Sequence, residues 1–148
     1  MITIQKALTD LKALSYDFKK IARETGFEEY GDMSHLEVDY DNAEQVFYAH
    51  ELNSIIEKID DMVHRIKYLN RPIIETSTIY LNSDGRYETN SGHTYTSGSG
   101  IECLIVNNYG EQEWVWASVE HNNGYYITCY GNPPLRSGMT VRLRGELL

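Results

Sequence analysis

The chain has 148 residues, 41% hydrophobic and 24% charged, enough for one ordinary domain or two small units with a moderate core. That balance excludes a disordered chain, and no apolar stretch approaches the roughly 20 residues of a membrane-spanning helix. Thirteen Lys and Arg against 22 Asp and Glu give a net charge of −9, which opposes an unaided grip on a polyanion, because phosphate binding needs cations to displace counterions.

The N-terminal Met1-Ile-Thr-Ile-Gln-Lys has no basic segment followed by an apolar run, so no cleaved secretory signal is expected, and the cytoplasm is the expected compartment. From Ile4 to Ala22 the apolar residues recur every three or four positions (Ile4, Ala7, Leu8, Leu11, Leu14, Phe18, Ile21, Ala22). This spacing predicts an amphipathic helix, with Gly26 as its stop.

A second helix is expected after Asp41-Asn-Ala-Glu44, where Asp41 reads as an N-cap and Glu44 as its reciprocal partner three residues on. Asn70 and Pro72 mark its end. Along it Ala49, Leu52, Ile55, Ile56, Ile59, Met62, Val63, Ile66 and Leu69 fill three adjacent heptad positions, a stripe wider than the two-position seam of a simple coiled coil. A hairpin of the two helices docked on a further surface uses that width, and a homodimer through the second helix is compatible with it.

Between the helices, Phe27 to Tyr40 carries Glu28, Glu29, Asp32, Glu37 and Asp39 together with Phe27, Tyr30, Met33, Leu36 and Val38. The stretch is too apolar for an unanchored linker. From Glu24 to Glu44 there are eight acidic residues and no Lys or Arg, the densest single-sign run in the chain, and such a run reads first as a solvated surface.

After Pro72 the hydrophobic period changes to two, with β-branched and aromatic residues in short runs separated by turn residues. The runs are Ile73–Leu81, Arg86–Thr89, Ile101–Val106, Glu113–His121, Tyr125–Tyr130 and Thr140–Arg144. The expected fold is therefore α+β: an N-terminal helical hairpin over residues 1–72, with an acidic connector, packed on a C-terminal antiparallel small barrel of five or six strands, SH3-like or OB-like, over 73–148. The Ser/Gly/Thr-rich stretch from Asn90 to Gly100 is expected to be a flexible hairpin loop.

Arg86-Tyr87, Ser97-Gly98 before Ile101-Glu102, Trp114 to Trp116, Val119-Glu120-His121 before Gly124-Tyr125-Tyr126, and Gly138-Met-Thr-Val141-Arg142 together resemble a domain-of-unknown-function family of small β-barrel proteins from phages and conjugative elements of Gram-positive bacteria. The resemblance covers the last half of the chain and brings no catalytic residues. It implies a bacterial host cytoplasm, and a setting in which short acidic proteins bind and inhibit host defence enzymes such as CRISPR nucleases or restriction complexes.

Several constellations bear on chemistry. Alternation places Ile101, Cys103 and Ile105 on one strand face, Val119 and His121 on another, and Ile127 with Cys129 on a third, so Cys103, His121 and Cys129 are candidate zinc ligands. Core packing is the competing reading for both thiols. Asp39-Tyr-Asp41 has Glu44 where a calcium loop needs its glycine, and no nucleophile elbow or phosphate-cradling loop is present. Neither an enzyme nor a cofactor is expected. Trp114 and Trp116, with Tyr126 and Tyr130 on a neighbouring run and Arg142 and Arg144 nearby, would suit a single-strand nucleic-acid-binding barrel; the net charge argues against direct nucleic-acid contact.

The leading expectation is a non-enzymatic interaction protein of anti-CRISPR or anti-restriction type, without a membrane role. Glu28, Glu29, Asp32, Glu37, Asp39 and Asp41 are its candidate contacts to a basic partner such as a CRISPR or restriction nuclease. A zinc-binding domain and a nucleic-acid-binding barrel are the alternatives.

Overall fold

The computed structural model describes residues 1–146. The chain forms two compact units, Met1–Arg71 and Pro72–Glu146, helical and antiparallel β respectively, so the fold class is α+β.

In the first unit, α1 spans Ile4–Thr25 and starts at Thr3, whose hydroxyl accepts from the Lys6 amide at 3.0 Å. It stops at Gly26, which sits at φ 88° and donates its N–H to the Arg23 carbonyl. A side chain there would strain the left-handed backbone and crowd Ser34 and His35, with a Cβ 3.0 Å from Ser34 Oγ. A single turn, α2, covers Phe27–Tyr30, and α3 runs over Ala43–Leu69.

The cap of α3 differs from the sequence expectation. Asn42, not Asp41, is the N-cap: its Oδ1 accepts from the Glu44 and Gln45 amides at 3.1 and 3.2 Å. The reach-back comes from Gln45, whose Oε1 accepts the Asp39 N–H at 2.8 Å. Consecutive Asp and Asn residues both suit a cap, and the bend at Asp39, whose own carboxylate accepts the Asp41 amide at 3.0 Å, moves the role one residue on.

Helices α1 and α3 are antiparallel: Ser15 and Lys19 share a small cleft with Ile66 and Asn70, while Ala22 lies level with Asp60 and Val63. The buried apolar residues of this unit are Ala22, Ile56 and Val63.

The second unit contains β1 (Ile73–Thr78), β2 (Tyr80–Leu81), β3 (Tyr87–Glu88), β4 (Thr94–Tyr95), β5 (Gly100–Val106), β6 (Gln112–His121), β7 (Tyr125–Ile127) and β8 (Thr140–Arg144). A five-stranded sheet has the order β1-β8-β5-β6-β7, with every pairing antiparallel, and a three-stranded sheet the order β2-β3-β4. β1 and β7 are the edges of the larger sheet.

Three readings of the strand half change. The first run divides at Ile79 into β1 and β2, each in a different sheet. The stretch expected to be a flexible loop contains β4, and Tyr95 within it is one of the most deeply buried side chains. β7 ends at Ile127, so Thr128 and Tyr130 lie beyond it, and Tyr130 adopts φ 29°.

Turn chemistry accounts for the register. In Asn82–Arg86 and Asn107–Glu111, the asparagine Oδ1 accepts the amides two and four residues on, at 2.9–3.0 Å. A glycine at positive φ closes each turn (Gly85, 76°; Gly110, 78°). The core is formed by Ile79, Tyr95, Ile101, Cys103, Ile105, Val119, Ile127, Leu135 and Val141. Among the described residues no helix is long and apolar enough to cross a membrane.

Candidate functional site

The acidic run follows the end of α1, and its local fold turns the carboxylates outward. Phe27, Met33, Leu36 and Val38 are half-buried, whereas Glu24, Glu28, Glu29, Asp32, Glu37, Asp39, Asp41 and Glu44 are all exposed. The His35 N–H donates to the Thr25 carbonyl at 3.0 Å, and the His35 ring meets Tyr30 edge-on at 5.5 Å, folding the segment back on the helix end. Asp32 accepts the Ser34 amide at 2.9 Å. The segment is thus anchored by its apolar residues.

The six candidate contacts fall into two groups along this path. Glu28 and Glu29 lie on α2, with Asp32 just past it; Glu28 has a long ion pair to Arg23 at 3.9 Å. Glu37 and Asp39 line a cleft of about 540 Å³ with Leu36, Val38, Tyr48 and Leu52, and Asp41 follows. The result is an exposed acidic surface interrupted by apolar side chains, which suits a cationic partner that also buries hydrocarbon.

The zinc constellation does not assemble: among the described residues no group of three or more His, Cys, Asp and Glu is placed to hold a metal ion. Cys103 is fully buried in the core, and burial, with the nearby Cys129, pushes its thiol up to about 11, so the sulfur stays protonated. Burial, then the charge of Glu113, also raises the Cys129 thiol. His121 is exposed at the end of β6, its ring 4.7 Å from Tyr125. The alternation of β5 was read correctly, and the thiols pack as small hydrophobes.

The nucleic-acid alternative depends on Arg142 and Arg144 beside the tryptophans, and here the structure contains a network that sequence reasoning missed. Glu102 on β5 is 4% exposed and faces away from the Ile101–Cys103–Ile105 side. Arg142 Nε donates to it at 2.6 Å and Arg144 Nη2 at 3.0 Å. Arg142 also stacks on Trp114, with its guanidinium carbon 4.2 Å from the ring centroid. Burial by itself raises the Glu102 carboxyl, but the hydrogen bonds from Arg142 and Arg144 and their charges outweigh it and hold the group below the usual glutamate range. Both guanidiniums are therefore committed to a buried carboxylate. The signal available in the sequence was Glu102 itself, an acid in the middle of an otherwise apolar strand.

Trp116 lies across the same face. Its ring covers Gly100 so closely that a Cβ there would fall 2.3 Å from the indole, which explains a glycine at the first position of a strand.

Residues 77–143 match the model of a family described as Domain of unknown function (DUF5348). The match begins in β1 and ends in β8, within the second unit, so the last half of the chain is similar to a domain-of-unknown-function family, as its strand and turn residues implied. No curated protein and no solved structure matches the chain.

Proposed function

We propose that this protein is a non-enzymatic interaction protein that presents its Glu24–Glu44 segment to the basic surface of a nucleic-acid-handling protein and competes there with the phosphate backbone. One observation carries the reading: eight consecutive charged residues of one sign are all exposed on a segment held in place by its own apolar side chains. Ordering the segment before binding lowers the entropic cost of association. A field of carboxylates of this density fits a groove lined with Lys and Arg, and its attraction weakens as salt screens it. The partner class follows from the phage and mobile-element setting that the strand half resembles: a host defence nuclease of the CRISPR or restriction kind.

The test is capture of such nucleases from a bacterial lysate by the full chain, at low and moderate salt, beside a variant carrying Glu28→Lys, Glu29→Lys, Asp32→Lys and Glu37→Lys. A nuclease retained by the parent, displaced by added duplex DNA and lost with the variant is the expected result. Equal retention by both proteins, or retention indifferent to salt and DNA, would overturn it.

A further inference from the structure

Where α1, α2 and α3 meet, they surround a cavity of about 420 Å³, within the roughly 300–1,000 Å³ of sites that take a small molecule. Phe18 and Ala22 from α1, Phe27 from α2 and Val63 from α3 give it apolar walls, Ala22 and Val63 buried and both phenylalanines half-buried.

Its charged groups are sorted by position. Lys19 and Lys67 line both this cavity and the small cleft beside it, where Lys12 joins them. Other basic residues of α1 have acidic neighbours, Lys6 with Asp10, Lys20 with Glu24 and Arg23 with Glu28; Lys12, Lys19 and Lys67 have no ion pair to a carboxylate among the described residues. Burial, then the charge of Lys19, pushes the Lys67 amine below its usual value, and the charges of Asp60 and Glu28, which act the other way, do not restore it. Two ammoniums held together without a counterion form a place that a bound anion relieves.

The acceptors lie further along. Asp60 and Lys67 line the same cavity from α3 and are two helical turns, about 10 Å, apart. His64 lies between them, its Nδ1 donating to the Asp60 carbonyl at 2.8 Å.

These features select a ligand. A phosphate monoester carries close to two negative charges near neutrality, so it engages both ammoniums, whereas a carboxylate carries one. A flat ring buries its faces against Phe18 and Phe27. Asp60, half-buried, accepts from N–H or O–H donors at the far end, and the span from Lys67 to Asp60 is that of a nucleotide from its phosphate to the far edge of its base. The net charge of −9 does not oppose this, because a single ligand needs only local cations, whereas a polymer must be neutralised phosphate by phosphate.

We propose that this cavity binds a nucleoside monophosphate, with the phosphate between Lys19 and Lys67, the base against Phe18 and Phe27, and the donors of the base or ribose toward Asp60. The site shares Glu28 with the acidic segment and does not rest on the function proposed for that segment.

Isothermal titration of the full chain with the 5′-monophosphates of adenosine, guanosine, cytidine and uridine tests the proposal. At least one is expected to bind with a dissociation constant below about 1 mM. Its nucleoside, inorganic phosphate and phenyl phosphate are each expected to bind about tenfold more weakly or less, because each lacks one of the three contacts. Lys19→Gln and Lys67→Gln should each weaken the nucleotide about tenfold with helical ellipticity unchanged, since each substitution removes a like-charge neighbour rather than a packed group. Lys6→Gln, outside the cavity, should leave binding as it is. Absence of binding by all four nucleotides, or binding that survives both lysine substitutions, would overturn the proposal. Equal affinity for inorganic phosphate, for the nucleoside or for phenyl phosphate would do so too, by reducing the site to an ion, a ring or any aromatic anion.

Discussion

The two units have nearly the same length and bury very different interiors. Pro72–Glu146 encloses nine buried apolar residues, among them Tyr95, Ile101 and Val119 at 1% exposure or less, whereas Met1–Arg71 encloses Ala22, Ile56 and Val63. The helical unit also exposes the longer series of large hydrophobic side chains, from Ile4 and Leu14 to Ile55 and Met62. Strands that bury residues on both faces, as β5 does with Cys103 on one side and Glu102 on the other, obtain a closed interior from few residues. Two helices bury only the rows that face each other, and the remainder of their stripes must be covered by something else or left in water.

That contrast can be followed with two signals. Both tryptophans, Trp114 and Trp116, belong to the β unit, and the long helices belong to the other, so tryptophan emission and helical ellipticity report on different regions in one denaturant titration. The largest expected effect is at Glu102. Replacing it by Ala leaves the Arg142 and Arg144 guanidiniums, 19% and 10% exposed, without their carboxylate, and removing one member of a buried ionic network costs about 4 kcal/mol. The tryptophan transition should move to lower denaturant by that amount. An equal shift in ellipticity would show that the two regions unfold as one.

The same residue sets a pH dependence. Its folded carboxyl titrates below the usual range, so its contribution is complete above the unfolded glutamate value of about 4.3 and is lost as pH falls from there through the depressed folded value. The stability difference between the wild type and Glu102→Gln should therefore be constant near neutrality and shrink in acid. A difference that grows in acid would contradict the assignment.

Next in size is a pair of matched truncations. Ile101→Ala empties a site enclosed by the β core and should cost about 3 kcal/mol on the tryptophan signal, while Ile56→Ala, in a core of three apolar residues, should fall near the lower end of the range, about 2 kcal/mol on the ellipticity signal. Surroundings that are thin can collapse or admit water, and those that are closed cannot. If Ile56→Ala proves the costlier, the helical unit is better packed than its burial indicates.

Much of this organisation was legible in the sequence, and the failures have identifiable causes. The three-four spacing of Ile4–Ala22 and the glycine at 26 place α1 to within a few residues, because amphipathic period and stop signal agree. Ile101, Cys103 and Ile105 point inward as alternation requires. The strand β4 is two residues long, too short to show a period, and Thr94-Tyr95 lay among Ser and Gly that normally mark a loop. The Glu102 network was hidden because alternation assigns Glu102 to a face without saying that Arg142, forty residues away, is its partner. The acidic run was plain from composition, whereas its anchoring depends on which of Phe27, Met33, Leu36 and Val38 find neighbours.

The smallest effect addresses the start of α3, where neighbouring residues competed for one role. Asp41 and Asn42 both have side chains able to accept helix N-terminal amides, yet Asn42 Oδ1 takes the Glu44 and Gln45 amides while Asp41 only donates its own amide to Asp39. Asn42→Ala should therefore cost about 1 kcal/mol, the ordinary worth of a cap, on the ellipticity signal. Asp41→Ala should cost a few tenths at most, through the helix dipole alone. Because Gln45 ties the first turn of α3 back to the Asp39 amide at 2.8 Å, loss of the cap should also loosen the Glu37–Asp41 stretch. That is measurable as faster amide exchange at Asp39 in Asn42→Ala than in Asp41→Ala. Reversed ranks for the two substitutions would return the cap to Asp41 and would detach the order of the acidic segment from the helix it precedes.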